Sequence, residues 1–246
     1  MNEPETETRI FSTRRGAVVI DSETKNKIIQ LLMEGDKTSR EISDALDKAK
    51  STISVHLSDL DELGLIETKS DIEDKRLKIF SLNTKLLGTS DIPTDEHYLE
   101  ILENLKNSSG DDYNFLKSLF HLIRYGLSSF GLDVHPALRE IGRDAGRKLA
   151  EGIEVESMDE LLKEVKKLWL ENQLGEIEVI DSSTLVVHDC FDCCDMPDVG
   201  TTFCSLDEGM IEGIVDEALD ISVSVREVEC FGKGDKGCKF EILKDQ

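Results

Sequence analysis

All six cysteines of this chain lie between Cys190 and Cys238, and none occurs earlier. The long thiol-free part must fold on apolar patterning alone, whereas the last part has to accommodate clustered thiols. In a reducing compartment such a cluster points to metal or redox chemistry rather than to a disulfide scaffold. A length of 246 residues suits two domains. Charge divides along the same line. Residues 1–88 carry 14 Lys and Arg against 17 Asp and Glu, and residues 89–246 carry 15 against 35. The net charge of -23 thus resides mainly in the second part, leaving the first able to present a basic surface to phosphate. No apolar run of about 18 residues is present, which excludes a membrane-spanning helix. Residues 1–9 are acidic and polar, unlike a signal peptide, so a cytoplasmic protein with no membrane partner is expected.

Within residues 1–88 the pattern predicts three helices and a hairpin. Ile28, Leu31 and Leu32 recur at helical spacing before Gly35, and Thr38 with Glu41 forms a capping-box signature. A third helix spans residues 50–63 and stops at Gly64, and two strand-like runs flank the charged turn 70–76. This is the order of a winged helix-turn-helix. The segment TSREISDALDKAKSTISVHLSDLDELGLI resembles the ArsR/MarR-type regulators, over about residues 20–85.

At 100° per residue, Ile53, Leu57 and Leu60 share the inward face of the third helix. Ser51 and Val55 lie opposite with Thr52 and Ser54 beside them, and Lys50 opens the helix; these are the expected base and phosphate contacts. His56 sits nearer the core face and is expected to pack. Lys69, Lys75, Arg76 and Lys78 belong to the wing and are expected at phosphates. Arg9, Arg14 and Arg15 surround a short strand-like run, as a DNA-contacting arm or a strand docked on a partner subunit. Double-stranded DNA and a second copy of the chain are the expected partners, since a two-fold pair of winged helices doubles the contacts of one.

Residues 89–110 read as a linker with a bridging or dimerising helix, and residues 111–246 as an α+β sensor domain. Helices are expected over 111–130, 136–152 and 157–172, with Gly142, Gly146 and Gly152 at close-packing spacings. A hairpin turns at Asp181-Ser182-Ser183, Ser205-x-x-Glu208 opens a helix, and strands 221–230 and 239–243 close an antiparallel sheet. Cys230 ends one of these strands and Cys238 begins its partner across a glycine-rich turn, so the two thiols can converge. The alternation breaks near Glu227, where a bulge could re-aim it. Cys204 precedes a helix N-terminus, which favours a thiolate.

The segments FCSLDEGMIEGIVDEAL and ISVSVREVECFGKGDKGCKFEIL resemble the 4-vinyl reductase-like sensor domain, over about residues 110–246. The whole arrangement is similar to methanogen redox-responsive regulators that join this domain to a winged helix. The resemblance to phenol-sensing relatives implies a structural zinc held by Cys204, Glu227, Cys230 and Cys238, with a Cys230–Cys238 disulfide as the alternative. Cys190, Cys193 and Cys194 form a second group, too small for a separate metal site even with His188, and reversible oxidation is its expected role. The expected function is a DNA-binding regulator whose cysteine domain senses redox state. The alternative is a regulator that responds to a small apolar effector, with Phe115, Phe120, Trp169 and Phe203 as pocket residues and zinc purely structural. No Ser/His/Asp set, dinucleotide fingerprint or open catalytic metal triad is visible, so no enzymatic activity is expected.

Overall fold

The computed structural model describes residues 8–70 and 77–244, and its contacts divide the chain into Met1–Asp91 and Ile92–Gln246. In the first unit, β1 (Arg9–Thr13) and β2 (Gly16–Ile20) form a hairpin that turns at Arg14 and Arg15. The helices follow: α1 (Glu23–Met33), α2 (Ser39–Leu46) behind the two-residue β3 (Lys37–Thr38), and α3 (Lys50–Glu62). The wing is β4 (Ile66–Ser70) and β5 (Lys78–Leu82), antiparallel, with β3 on the other side of β5. A further strand, β6 (Lys85–Ser90), runs antiparallel to β1. The arginine-flanked segment is therefore a hairpin docked within its own unit, with Phe11 of β1 fully buried. Its sequence partner, KLLGTS, carries a glycine and no clean alternation, which conceals β6 from a reading by periodicity.

The local chemistry matches the elements. Ser22 caps α1, and the Thr38–Glu41 capping box forms with both hydrogen bonds present. α3 ends where Gly64 takes φ +77°, a left-handed conformation that suits glycine. Ile28, Ile29, Leu32, Ile42 and Leu60 join the inward residues of the wing in one apolar core.

In the second unit, α4 (Tyr98–Asn107) packs on α5 (Asp112–Ser129), with Ile101 in the core. The short β7 (Leu132–Asp133), α6 (His135–Ala150) and α7 (Met158–Glu171) follow. A four-stranded antiparallel sheet completes the unit in the order β10-β11-β9-β8. Its strands are β8 (Glu176–Asp181), β9 (Thr184–His188), β10 (Val223–Glu229) and β11 (Cys238–Lys244). Between β9 and β10 lies α8 (Ser205–Leu219), which crosses α6 at backbone contact distance. A Cβ at Gly142, Gly146, Gly209 or Gly213 would collide with a carbonyl of the facing helix. Gly152 plays no part in that crossing; it turns the chain after α6 at φ +85°. Arg139 and Arg143 both reach the buried Glu212 of α8, and Arg147 pairs with Asp216 at 2.8 Å. This ladder and the glycines fix α8 on α6, and with it the position of the residues that open α8.

Candidate functional site

The DNA-facing surface is built from α3 and the wing. Ile53, Leu57 and Leu60 are buried, and Lys50, Ser51, Thr52, Ser54 and Val55 are exposed on the other side. Val55 is 60% exposed, unusual for an isolated valine unless a partner covers it. His56 is half-buried, with its Nδ1 enclosed and without a hydrogen-bond partner, so it packs against the unit. Lys69 and Lys78 are exposed on neighbouring strands, but Lys69 is already engaged by Glu67 at 2.5 Å. Lys75 and Arg76 lie outside the described residues.

The cysteine site assembles from four segments. Cys190 and Cys193 sit on a tight turn after β9, closed by the Cys194 N–H donating to the Cys190 carbonyl at 2.8 Å. Cys204 is the N-cap of α8, and Cys230 and Cys238 flank the turn between β10 and β11. The ladder of β10 shifts register between Glu227 and Glu229, and this irregularity accompanies Glu227 facing inward. One ligand atom from each of Cys193, Cys204, Glu227, Cys230 and Cys238 lies within 4.8 Å of all the others, and every one of these residues is buried. The structure thus brings together the four residues implied by resemblance and adds Cys193, which spacing had placed in the second group. Its Sγ lies 3.1 Å from Cys238 and 3.2 Å from Cys204. Cys190 is next, 3.6 Å from Cys204. Cys194 alone turns outward and is only half-buried, and His188 faces Glu178 instead of the cluster.

Glu227 shows what the cluster can hold. Its Oε2 accepts from the N–H groups of Phe203 and Cys204 at 3.0 and 2.9 Å, while its Oε1 is buried with no hydrogen-bond partner. Burial, with Cys230 beside it, raises this carboxyl to about 9. Burial likewise pushes the Cys204 thiol well up, whereas hydrogen bonds from neighbouring thiols, Cys193 first, pull Cys190 and Cys230 down. A bound cation would relieve both the orphaned oxygen and the crowded thiols. A tetrahedral zinc site with sulfur at about 2.3 Å separates its thiolates by about 3.8 Å. The sulfurs here lie 3.1–3.7 Å apart, close enough to serve one such ion. The residues fit a metal ion, and the cluster can hold one.

Three charged residues beside the cluster were not legible in the sequence. Arg124 of α5 and Asp192 of the cysteine turn meet at 2.9 Å, with side chains 2% and 3% exposed. The guanidinium also lies over the rings of Phe203 and Phe120, at 4.4 and 5.3 Å from their centroids. Asp207, one turn into α8, is buried and accepts from the Cys190 thiol at 3.5 Å. The Ser205-x-x-Glu208 signature concealed this. Ser205 forms no cap and its Oγ is without a partner, while Glu208 accepts from the Glu227 N–H at 2.7 Å. The sheet edge outbids the helix terminus for that carboxylate.

The four aromatic residues expected to line an apolar pocket do not converge on one. Trp169 is fully buried in the core, Phe115 is exposed, and Phe120 packs on Phe191. A pocket of about 310 Å³ does adjoin Phe203, but its walls are mostly polar and include Glu96, His97, Ser128, Asp198 and Thr201.

Residues 22–68 match the arsR family of bacterial regulatory proteins, and residues 184–244 match the vinyl-4-reductase domain. The uncharacterized protein MJ0150 of Methanocaldococcus jannaschii is 34% identical over 131 residues, 51% of this chain and 73% of that protein. The chain belongs to its family. It is an arsR-type DNA-binding regulator carrying a vinyl-4-reductase domain. A crystal structure of a vinyl-4-reductase family protein from Methanocaldococcus jannaschii is similar at TM-score 0.39 and 18% identity, covering 61% of this chain and 96% of that one. The phenol-responsive sensory domain of the transcription activator PoxR is similar at TM-score 0.37 and 12% identity, covering 78% and 90%. No helix among the described residues is long and apolar enough to cross a membrane.

Proposed function

We propose that this regulator binds DNA as a homodimer in the cytoplasm and releases it when the thiols of its vinyl-4-reductase domain are oxidised. Binding rather than catalysis is its role. The observation that carries the reading is the thiol array itself: five buried cysteines, several within 3.1–3.7 Å of one another, behind one half-exposed Cys194. Zinc, held by Cys204, Glu227, Cys230 and Cys238 with Cys193 in reach, would keep the reduced array together by screening thiolates that otherwise repel. Pairing of Cys193 with Cys204 or Cys238 gives up two protons and two electrons to an oxidant such as a peroxide or a small disulfide. The pairing removes two sulfur donors from the ion. Cys194 is the thiol an oxidant meets first, and segment 189–204, which has no helix or strand, can absorb the backbone change.

Lys50, Ser51, Thr52, Ser54, Val55, Lys69 and Lys78 would meet the operator, with Lys75 and Arg76 of the wing turn. Self-association is supported by α5 and its C-cap, where Leu116, Ile123 and Phe130 recur every seven residues and remain more than half exposed. The apolar-effector reading loses support from the scattered aromatics and the polar pocket.

The test compares operator binding by reduced and mildly oxidised full-length protein. Binding should be strong in reductant, lost by at least about tenfold on oxidation and restored by thiol. Cys194→Ser should slow the loss without weakening reduced binding. Equal affinity in both states would overturn the redox reading.

A further inference from the structure

The donors around Cys204 exceed what one tetrahedral ion can use. A single ion has four positions, while the first group already offers four sulfurs and Glu227. Cys190 and Asp207 remain, and with Cys204 they form a second buried group whose ligand atoms also lie within 4.8 Å of one another. We propose that the cluster is binuclear, with Cys190, Cys204 and Asp207 holding a second divalent metal ion joined to the first through the Cys204 thiolate. The inference rests on the metal-holding reading of the cluster.

Distance supports it. An ion with sulfur at about 2.3 Å and carboxylate oxygen at about 2.0 Å in tetrahedral array sets S···S near about 3.8 Å and S···O near about 3.5 Å. The Cys190–Cys204 sulfurs are 3.6 Å apart, and Cys190 Sγ lies 3.5 Å from Asp207 Oδ2. These separations match the edge lengths of such a site. Local structure explains how: Cys204 and Asp207 are three residues apart at the start of α8, on one face, and the turn after β9 delivers Cys190 opposite them.

Charge supports it independently. Asp207 is 4% exposed, and among the described residues no Lys, Arg or His pairs with it, because Arg124 is committed to Asp192. A buried carboxylate without a cation is costly, and the partner it does have is a thiol, itself a ligand once its proton leaves. Binding the ion would release the thiol protons and give Asp207 its counter-charge. The group supplies three protein donors, so the fourth position is open to water or another small ligand. The second ion is therefore the exchangeable one, beside a first ion that protein donors can enclose fully.

The test is a cobalt(II) titration of reduced, metal-stripped full-length protein, followed by thiolate-to-cobalt absorption and electron paramagnetic resonance. Absorption should saturate at two equivalents per chain, and the resonance signal should grow to one equivalent and then fall as the bridging sulfur couples the two spins. Asp207→Asn, which keeps the side-chain shape, should saturate at one equivalent with the signal retained; Cys190→Ser should do the same if that variant fails to fold. Saturation of wild type at one equivalent would overturn the second site and leave the first standing. No binding by folded wild type would overturn both. Two uncoupled ions, or two coupled ions in Asp207→Asn, would also overturn the bridged site.

Discussion

In the winged-helix unit the buried polar side chains among the described residues are Asn26, Ser43 and Ser81, all uncharged; in the cysteine-bearing unit they include Lys117, His121, Arg124, Asp192, Asp207, Glu212 and Glu227, together with five thiols. The neutral groups of the first unit are served by nearby backbone, as when Ser43 donates to the Lys48 carbonyl at 2.6 Å. Such contacts hold at any ordinary pH and in any redox state. The charged groups of the second unit are stable only while a partner stays charged, protonated or reduced, because burial makes each one costly alone. One unit is built to be constant and the other to be conditional, which is the division of labour a sensor joined to a reader requires.

The largest expected break in this contrast comes from the metal. If free zinc stands about a thousandfold above its dissociation constant, it contributes about 4 kcal/mol to the cysteine-bearing unit and nothing to the winged helix. Chelation, or Cys230→Ser, should therefore lower only the transition of the cysteine-bearing unit in calorimetry. Movement of both transitions, or of neither, would break the contrast.

Next comes the ion pair under Phe203. Arg124→Leu leaves Asp192 buried without its cation and should cost about 3–5 kcal/mol, and replacing both residues by leucine should recover much of that. Urea unfolding of the two variants decides it: a double variant no better than the single would mean that Arg124 acts by packing alone.

Acid should also separate the units. Burial lowers His121 from 6.5 to about 4, while its Nε2 lies 2.8 Å from the Phe191 carbonyl. A base depressed in the folded state contributes stability that is present above its unfolded value and lost as pH falls through the folded one. The cysteine-bearing unit should thus lose up to about 3 kcal/mol between pH 6.5 and 4 from this residue. His121→Gln should flatten that part of the pH profile; an unchanged profile would refute the assignment. The smallest effect lies in the reader: Thr38→Ala removes one half of the capping box and should cost about 1 kcal/mol in the winged-helix transition, leaving metal content and the other transition as they were.

Much of this architecture was legible in advance, and the reasons are local. Helix caps at Ser22, Thr38 and Ser157, the buried face of α3, the hairpin at Asp181-Ser182-Ser183 and the irregularity at Glu227 all arise from interactions spanning a few residues. Periodicity and side-chain chemistry report such interactions directly. By itself the sequence also determined that the thiols belong to one domain and that the reader carries none.

Only the tertiary structure decided how those thiols are grouped. Cys193 meets Cys238 across 45 positions of sequence, and no spacing rule encodes that approach. It depends on the turn after β9, on α8 held against α6 by four glycines, and on the register of β10 with β11. The same holds for Arg124 beside Asp192 and for Asp207 beside Cys190. Each looks in sequence like one more charged residue on a helix or loop. Its chemistry is set by burial, which removes the water that would otherwise screen it, and burial is a property of the packed chain rather than of any segment within it.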